Sequence, residues 1–184
     1  MPIRVVLADD SFIVREGMRE LLQSVDELDV VAAVGDLDAL RAAIEREKPD
    51  VVLTDIRMPP TNSDEGIRLA ESLRTSAPSI GVVVLSQYAD AEYALALLEK
   101  GAAGRGYLLK ERVSDLDQLV NAIREVARGG SVIDPKVVDK SDVPMLEDLI
   151  LSAVNAALAN VKALAEEQSG PLSSLQDLIP GLVK

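Results

Sequence analysis

The sequence predicts an α/β fold: a doubly wound, five-stranded parallel sheet in the order 2-1-3-4-5, with a long helix added after it. Three observations predict it. Strand-length apolar runs alternate with helical patterns through the first 130 residues. Several of those runs are nearly continuous, as in strands covered on both faces. Acidic residues follow the first and third runs, the two strands that flank the point where strand order reverses.

The strands are expected at Ile3–Ala8, Asp29–Val34, Asp50–Thr54, Ile80–Leu85 and Gly106–Leu109, and the helices near Phe12–Gln23, Leu37–Glu47, Glu65–Thr75, Ala89–Lys100 and Asp115–Arg128. Ser11 precedes the first helix, Ser114 can cap the fifth, and Gly129–Gly130 stops it. Leu116, Leu119, Val120, Ile123 and Ala127 share one face of the fifth helix, the spacing of a helix lying on a sheet. Right-handed crossovers between the parallel strands then give the flavodoxin-like order.

After Gly130 the character changes. Residues 131–142 read as a linker, and 143–184 as a long helix with a tail. Ser141 or Asp142 caps that helix, Pro144 is tolerated in its first turn, and Gly170–Pro171 ends it. Leu146, Leu149, Ile150, Ala153, Val154, Ala157, Val161, Leu164 and Ala165 form a broad apolar stripe. A stripe this long needs a cover, and a second copy of the same helix is the expected one, giving a homodimer.

Composition excludes several chemistries. The chain of 184 residues has no cysteine and no histidine. Disulfides, thiol nucleophiles, His-ligated zinc and Ser-His-Asp catalysis are therefore ruled out. The net charge is −12, which repels nucleic-acid phosphates unless basic residues cluster. No apolar run approaches the length of a membrane span, no signal peptide is expected, and a cytoplasmic location is the expectation.

The chemistry collects at the carboxyl ends of the strands. Asp9 and Asp10 follow the first strand and Asp55 the third, so three carboxylates converge on one crevice. Like charges that close are costly unless neutralised, and a hard cation such as Mg²⁺ suits oxygen ligands. Ser86 ends the fourth strand and Lys110 follows the fifth. Carboxylate, metal, hydroxyl and ammonium together point to phosphoryl transfer, with the carboxylate as nucleophile.

These residues carry a resemblance. Leu-Ala-Asp-Asp-Ser at 7–11, Leu-Thr-Asp-Ile-Arg-Met-Pro at 53–59, Leu-Ser at 85–86 and Tyr-Leu-Leu-Lys at 107–110 resemble a response-regulator receiver domain over about residues 1–133. The phrasing Val126-Ala-Arg-Gly-Gly-Ser-Val-Ile-Asp-Pro135 is similar to the NarL/LuxR-type subgroup. The resemblance implies Asp55 as phosphoacceptor, Asp9, Asp10, Asp55 and the Arg57 carbonyl as Mg²⁺ ligands, and Ser86 and Lys110 as contacts to the phosphoryl group. It implies Tyr107 as the aromatic that turns inward when Ser86 moves, and a sensor histidine kinase as phosphodonor. Covalent chemistry would be confined to the chain's own aspartate; it would not be an enzyme on other substrates. A haloacid-dehalogenase-type phosphatase would instead carry Asp-x-Asp after its first strand, where this chain has adjacent Asp9 and Asp10. Two departures border the output face. Pro59 stands seven residues before Gly66, more than the family's usual spacing, and Gly101–Gly106 is also extended.

A NarL/LuxR-type regulator would continue into a helix-turn-helix domain, but residues 141–184 show no recognition helix with basic flanks. They hold two lysines against six acids, so DNA binding by this chain alone is not expected. Instead Asp134-Pro, Met145-Leu-Glu-Asp-Leu-Ile150, Ala153-Val-Asn-Ala-Ala-Leu158 and Pro180-Gly-Leu182 resemble the last helix and tail of YbaB/EbfC-type nucleoid-associated proteins. The chain reads as a fusion, natural or engineered, with its join near Ile133–Val138.

Overall fold

The computed structural model describes residues 1–138 together with Leu151, Val154, Leu158 and Val161. Six strands form one parallel sheet: β1 (Ile3–Ala8), β2 (Leu28–Val34), β3 (Val51–Asp55), β4 (Gly81–Ser86), β5 (Arg105–Leu109) and β6 (Ser131–Ile133). Their order is β2-β1-β3-β4-β5-β6. The helices between them are α1 (Phe12–Gln23), α2 (Leu37–Glu47), α3 (Glu65–Ser76), α4 (Ala91–Leu98) and α5 (Leu116–Ala127). A 3-10 turn at Lys110–Ser114 separates β5 from α5.

Alternation along each strand builds two apolar layers. Val6, Val52 and Val84 face α2, α3 and α4, where Leu40, Ile67 and Leu97 meet them. Val5, Leu7, Leu53, Val83 and Leu85 face α1 and α5, packing on Met18, Leu22, Leu119 and Ile123. Both faces are covered, which is why β3 and β4 are buried along their whole length.

The predicted sheet order holds for its first five strands, with one correction: the sheet has six. Ser131–Ile133 lies in the stretch read as a linker, but pairs parallel with β5 through Arg105↔Ser131 and Tyr107↔Ile133. Three residues are too few for a periodic signal, and the pairing depends on a strand far back in the chain. A second correction concerns the fifth helix. Asp115 caps it, accepting from the Gln118 N–H at 3.2 Å, while Ser114 Oγ donates backward to the Glu111 carbonyl at 2.7 Å. Ser11 stands at the N-cap of α1 without a side-chain capping bond, and Asp9 Oδ1 accepts from its N–H at 2.9 Å. The long-helix reading falls largely outside the described residues. Leu151, Val154, Leu158 and Val161, which are described, are helical and exposed.

Arg105 opens β5 and is 1% exposed. Its partners are carbonyls: Nη1 donates to Gly104 O at 2.8 Å and Ile80 O at 3.2 Å, and Nη2 to Ala70 O at 3.2 Å. Burial, and then the neighbouring Arg74 charge, push its pKa down to about 10. The guanidinium ties α3, the start of β4 and β5 together. Arg105→Leu strands buried carbonyls without a donor and should lower unfolding stability by about 3 kcal/mol or more. Urea unfolding with an unchanged slope is the measurement.

Candidate functional site

Asp9 follows β1, Asp55 is the last residue of β3, and Lys110 follows β5, so the sheet order brings all three to one end. Lys110 Nζ lies 2.9 Å from Asp9 Oδ2 and 2.7 Å from Asp55 Oδ2. Asp9 is fully buried, Asp55 is buried and Asp10 is exposed. Carboxylate oxygens of the three aspartates lie within 4.8 Å of one another. Asp10 and Asp55 open onto a cleft of about 330 Å³ whose walls include Arg57, Asn62, Ser86 and Tyr93.

One ammonium does not satisfy this cluster. Burial raises the Asp55 pKa against the hydrogen bond and charge of Lys110, the charge of Asp9 raises it further, and the Arg57 backbone N–H works against both. Burial acts to lower the Lys110 pKa, but the hydrogen bond to Asp55 and the close carboxylates of Asp55 and Asp9 outweigh that and raise it. Asp9 Oδ2, although close to Lys110, has no aligned hydrogen bond. A buried carboxylate oxygen left in this way, beside two further carboxylates, fits a hard divalent cation.

Ser86 and Tyr107 meet at one backbone group. Ser86 Oγ donates to the Tyr88 carbonyl at 2.8 Å and accepts from the Tyr88 N–H at 3.2 Å. Tyr107 donates its hydroxyl to the same carbonyl at 3.2 Å and is fully buried, so its ring already faces inward. Burial raises its pKa, partly offset by the bond with Ser86. Arg57 lines the cleft, with its guanidinium 6.0 Å from the centre of the Tyr93 ring.

The extended loop between β3 and α3 is organised by Glu65, which is 2% exposed. Its carboxylate accepts from the backbone N–H groups of Ser63 at 2.9 Å, Thr61 at 3.1 Å and Met58 at 3.3 Å, and from the Thr61 hydroxyl. Gly66 then passes directly against the end of β3. A Cβ there would lie 2.2 Å from the Asp55 carbonyl oxygen, so only glycine allows this approach. Glu65, Asn62 and the Tyr88 backbone are site features that motif spacing did not reveal. The lengthened Pro59–Gly66 interval was the visible signal for the first two.

The family model for the response regulator receiver domain matches residues 5–124. The chain belongs to the receiver domain family. A second model, for the YbaB/EbfC DNA-binding family, matches residues 117–176, in keeping with the fusion reading. Among curated relatives, the transcriptional regulatory protein LnrK of Bacillus subtilis is 43% identical over 136 residues, covering 73% of this chain and 58% of LnrK. The chain thus spans little more than half of that relative. Among solved structures, the isolated receiver domain of RcsB from Salmonella enterica serovar Typhimurium with the phosphomimetic BeF₃⁻ is similar, with a TM-score of 0.61 and 26% identity, covering 74% of this chain and 96% of that one. A structure of two RcsB dimers bound to two parallel DNAs is similar too, with a TM-score of 0.62 and 25% identity over 80% of this chain and 69% of that one.

Within this receiver domain the Glu65 loop carries a pH signature. Burial works to raise the Glu65 pKa, but the bonds from Thr61 and from the backbone hold it at about 2, below the usual 4.5. A depressed folded-state pKa gives stability that is present above pH 4.5 and is lost as pH falls toward 2. Glu65→Gln should therefore cost stability at neutral pH, with the difference from the parent shrinking through that acid window. Thermal melts at pH 6 and pH 3 measure it.

Proposed function

We propose that this receiver domain is a phosphoacceptor switch, with Asp55 taking a phosphoryl group from the phosphohistidine of a sensor histidine kinase. The observation that carries this reading is the convergence of Asp9 and Asp55 on Lys110 Nζ, at 2.9 and 2.7 Å, with Asp55 lining a polar cleft. An Asp55 carboxylate oxygen attacks phosphorus, forming a P–O bond as the P–N bond breaks and its electron pair leaves with the imidazole. The product is an acyl phosphate on Asp55. Lys110 brings a fixed positive charge to the transferring oxygens, and Ser86 Oγ supplies a hydroxyl at the same rim. Asp9, Asp10, Asp55 and the Arg57 carbonyl would hold Mg²⁺, which when bound neutralises charge on the phosphoryl oxygens. Phe12 and Ile13 stand exposed just past Asp10, an apolar rim suited to a docking kinase. The chain's covalent chemistry is confined to its own aspartate, and the reading assigns it to the cytoplasm.

The output follows from residues after the sheet. Leu151, Val154, Leu158 and Val161 are each helical and exposed, and are spaced by three, four and three residues, the spacing of a heptad seam. A second copy of the chain offers the same seam, and pairing through it gives a homodimer. The YbaB/EbfC match favours a second reading, contact with DNA, as the RcsB dimers make. The net charge of −4 over residues 141–184 opposes it.

Incubation with Mg²⁺ and a small acyl-phosphate donor should add one phosphoryl group by intact mass, and Asp55→Asn should take up none. Uptake that survives in Asp55→Asn would sink the assignment. By light-scattering chromatography the parent should run as a dimer and Leu158→Asp as a monomer. A salt-dependent shift of a DNA fragment by the parent would move the output to the second reading.

A further inference from the structure

Asp134 is fully buried at the end of β6, outside the acidic cluster, and its carboxylate is saturated with donors. Arg112 grips it with two bonds, Nε to Oδ2 at 2.7 Å and Nη2 to Oδ1 at 2.9 Å. The Leu109 N–H reaches Oδ2 at 3.3 Å, and the Lys136 N–H reaches Oδ1 at 3.0 Å. Its own N–H donates to the Tyr107 carbonyl at 2.8 Å. A further ion pair, Lys136 Nζ to Glu111 Oε1 at 2.5 Å, joins the same two segments at the surface. Burial acts to raise the Asp134 pKa, but Arg112 and the backbone donors outweigh it and hold the group ionised.

These bonds converge on the residues either side of Lys110. Leu109 precedes it, and Arg112 lies in the 3-10 turn that Lys110 opens. The ammonium that bridges Asp9 and Asp55 is therefore carried on a turn held from outside by Asp134. A bidentate carboxylate–guanidinium pair fixes direction as well as distance. A shift of ~1 Å in a group that acts by placement costs up to ~10²-fold in rate.

Resting on the phosphoacceptor reading above, we propose that Asp134 is a positioning residue for phosphoryl uptake, acting through Arg112 and the Leu109 N–H to place Lys110. Asp134 also stands where the chain leaves the sheet for its C-terminal segment.

The test uses the full chain, Mg²⁺ and a small acyl-phosphate donor, with initial uptake followed by intact mass. Asp134→Asn keeps the shape and an acceptor for the Leu109 N–H but removes the charge that holds Arg112. It should slow uptake roughly tenfold, with Asp55 still the acceptor. Arg112→Lys, which keeps the charge and loses the two-pronged grip, should slow uptake similarly. Glu111→Gln, which cuts only the exposed pair, should match the parent within about twofold. In a Lys110→Ala background, followed over hours, Asp134→Asn should have no further effect. Parent-like uptake by Asp134→Asn, or an equal fractional slowing with and without Lys110, would overturn the positioning role and leave the phosphoacceptor reading intact. Absence of uptake by the parent would overturn both.

Discussion

An ammonium between two carboxylates organises this molecule. Lys110 Nζ lies 2.9 Å from Asp9 and 2.7 Å from Asp55, and the three residues come from the ends of three strands that are not consecutive in sequence. Placing β1 between β2 and β3 puts the acids side by side, and β5 brings the cation from beyond β4. The acids repel each other and resist burial, so the crevice persists because positive charge is built into it. Other features support that arrangement. Gly66 lets α3 begin against the Asp55 carbonyl, Glu65 gathers the preceding loop, and Asp134 holds the turn that bears Lys110.

Much of this was legible in the sequence, for reasons that separate the successes from the misses. The first five strands announce themselves because a buried parallel strand needs only a run of apolar residues. The positions of Asp9, Asp55, Ser86 and Lys110 are readable because each stands at the end of its own strand or just past it, so locating the strand locates the residue. Residues that matter through distant partners were not readable. β6 is three residues long and is a strand only because β5 is beside it. Asp134 looks like a turn acid until Arg112, 22 residues earlier, is seen to grip it. Arg105 in a glycine-rich stretch reads as a surface charge, yet it is buried among carbonyls contributed from as far away as Ala70. Ser114 and Asp115 are adjacent capping candidates, and local pattern does not rank them; the carboxylate holds the Gln118 N–H while the hydroxyl turns back to Glu111.

The two family matches overlap at residues 117–124, inside α5. In the structure that helix is committed. Leu119, Val120 and Ile123 are buried against the sheet as part of the layer that also holds Met18 and Leu22. The YbaB/EbfC-like portion therefore cannot use this face of α5 for its own packing without opening the receiver core. After β6, Leu151, Val154, Leu158 and Val161 are exposed. Asp134 itself belongs with the receiver sheet by its bonds to Leu109 and Arg112.

The two borders of the sheet set how such molecules can crowd together. β6 offers a rim of only three residues, too short to template an added strand. The opposite rim, β2, carries an exposed Asp29 and a register irregularity where it meets β1 between Val5 and Val6. Both rims are blunted, which disfavours strand-to-strand recruitment at each end. The helical surfaces stay free to associate while the sheet remains a finite object.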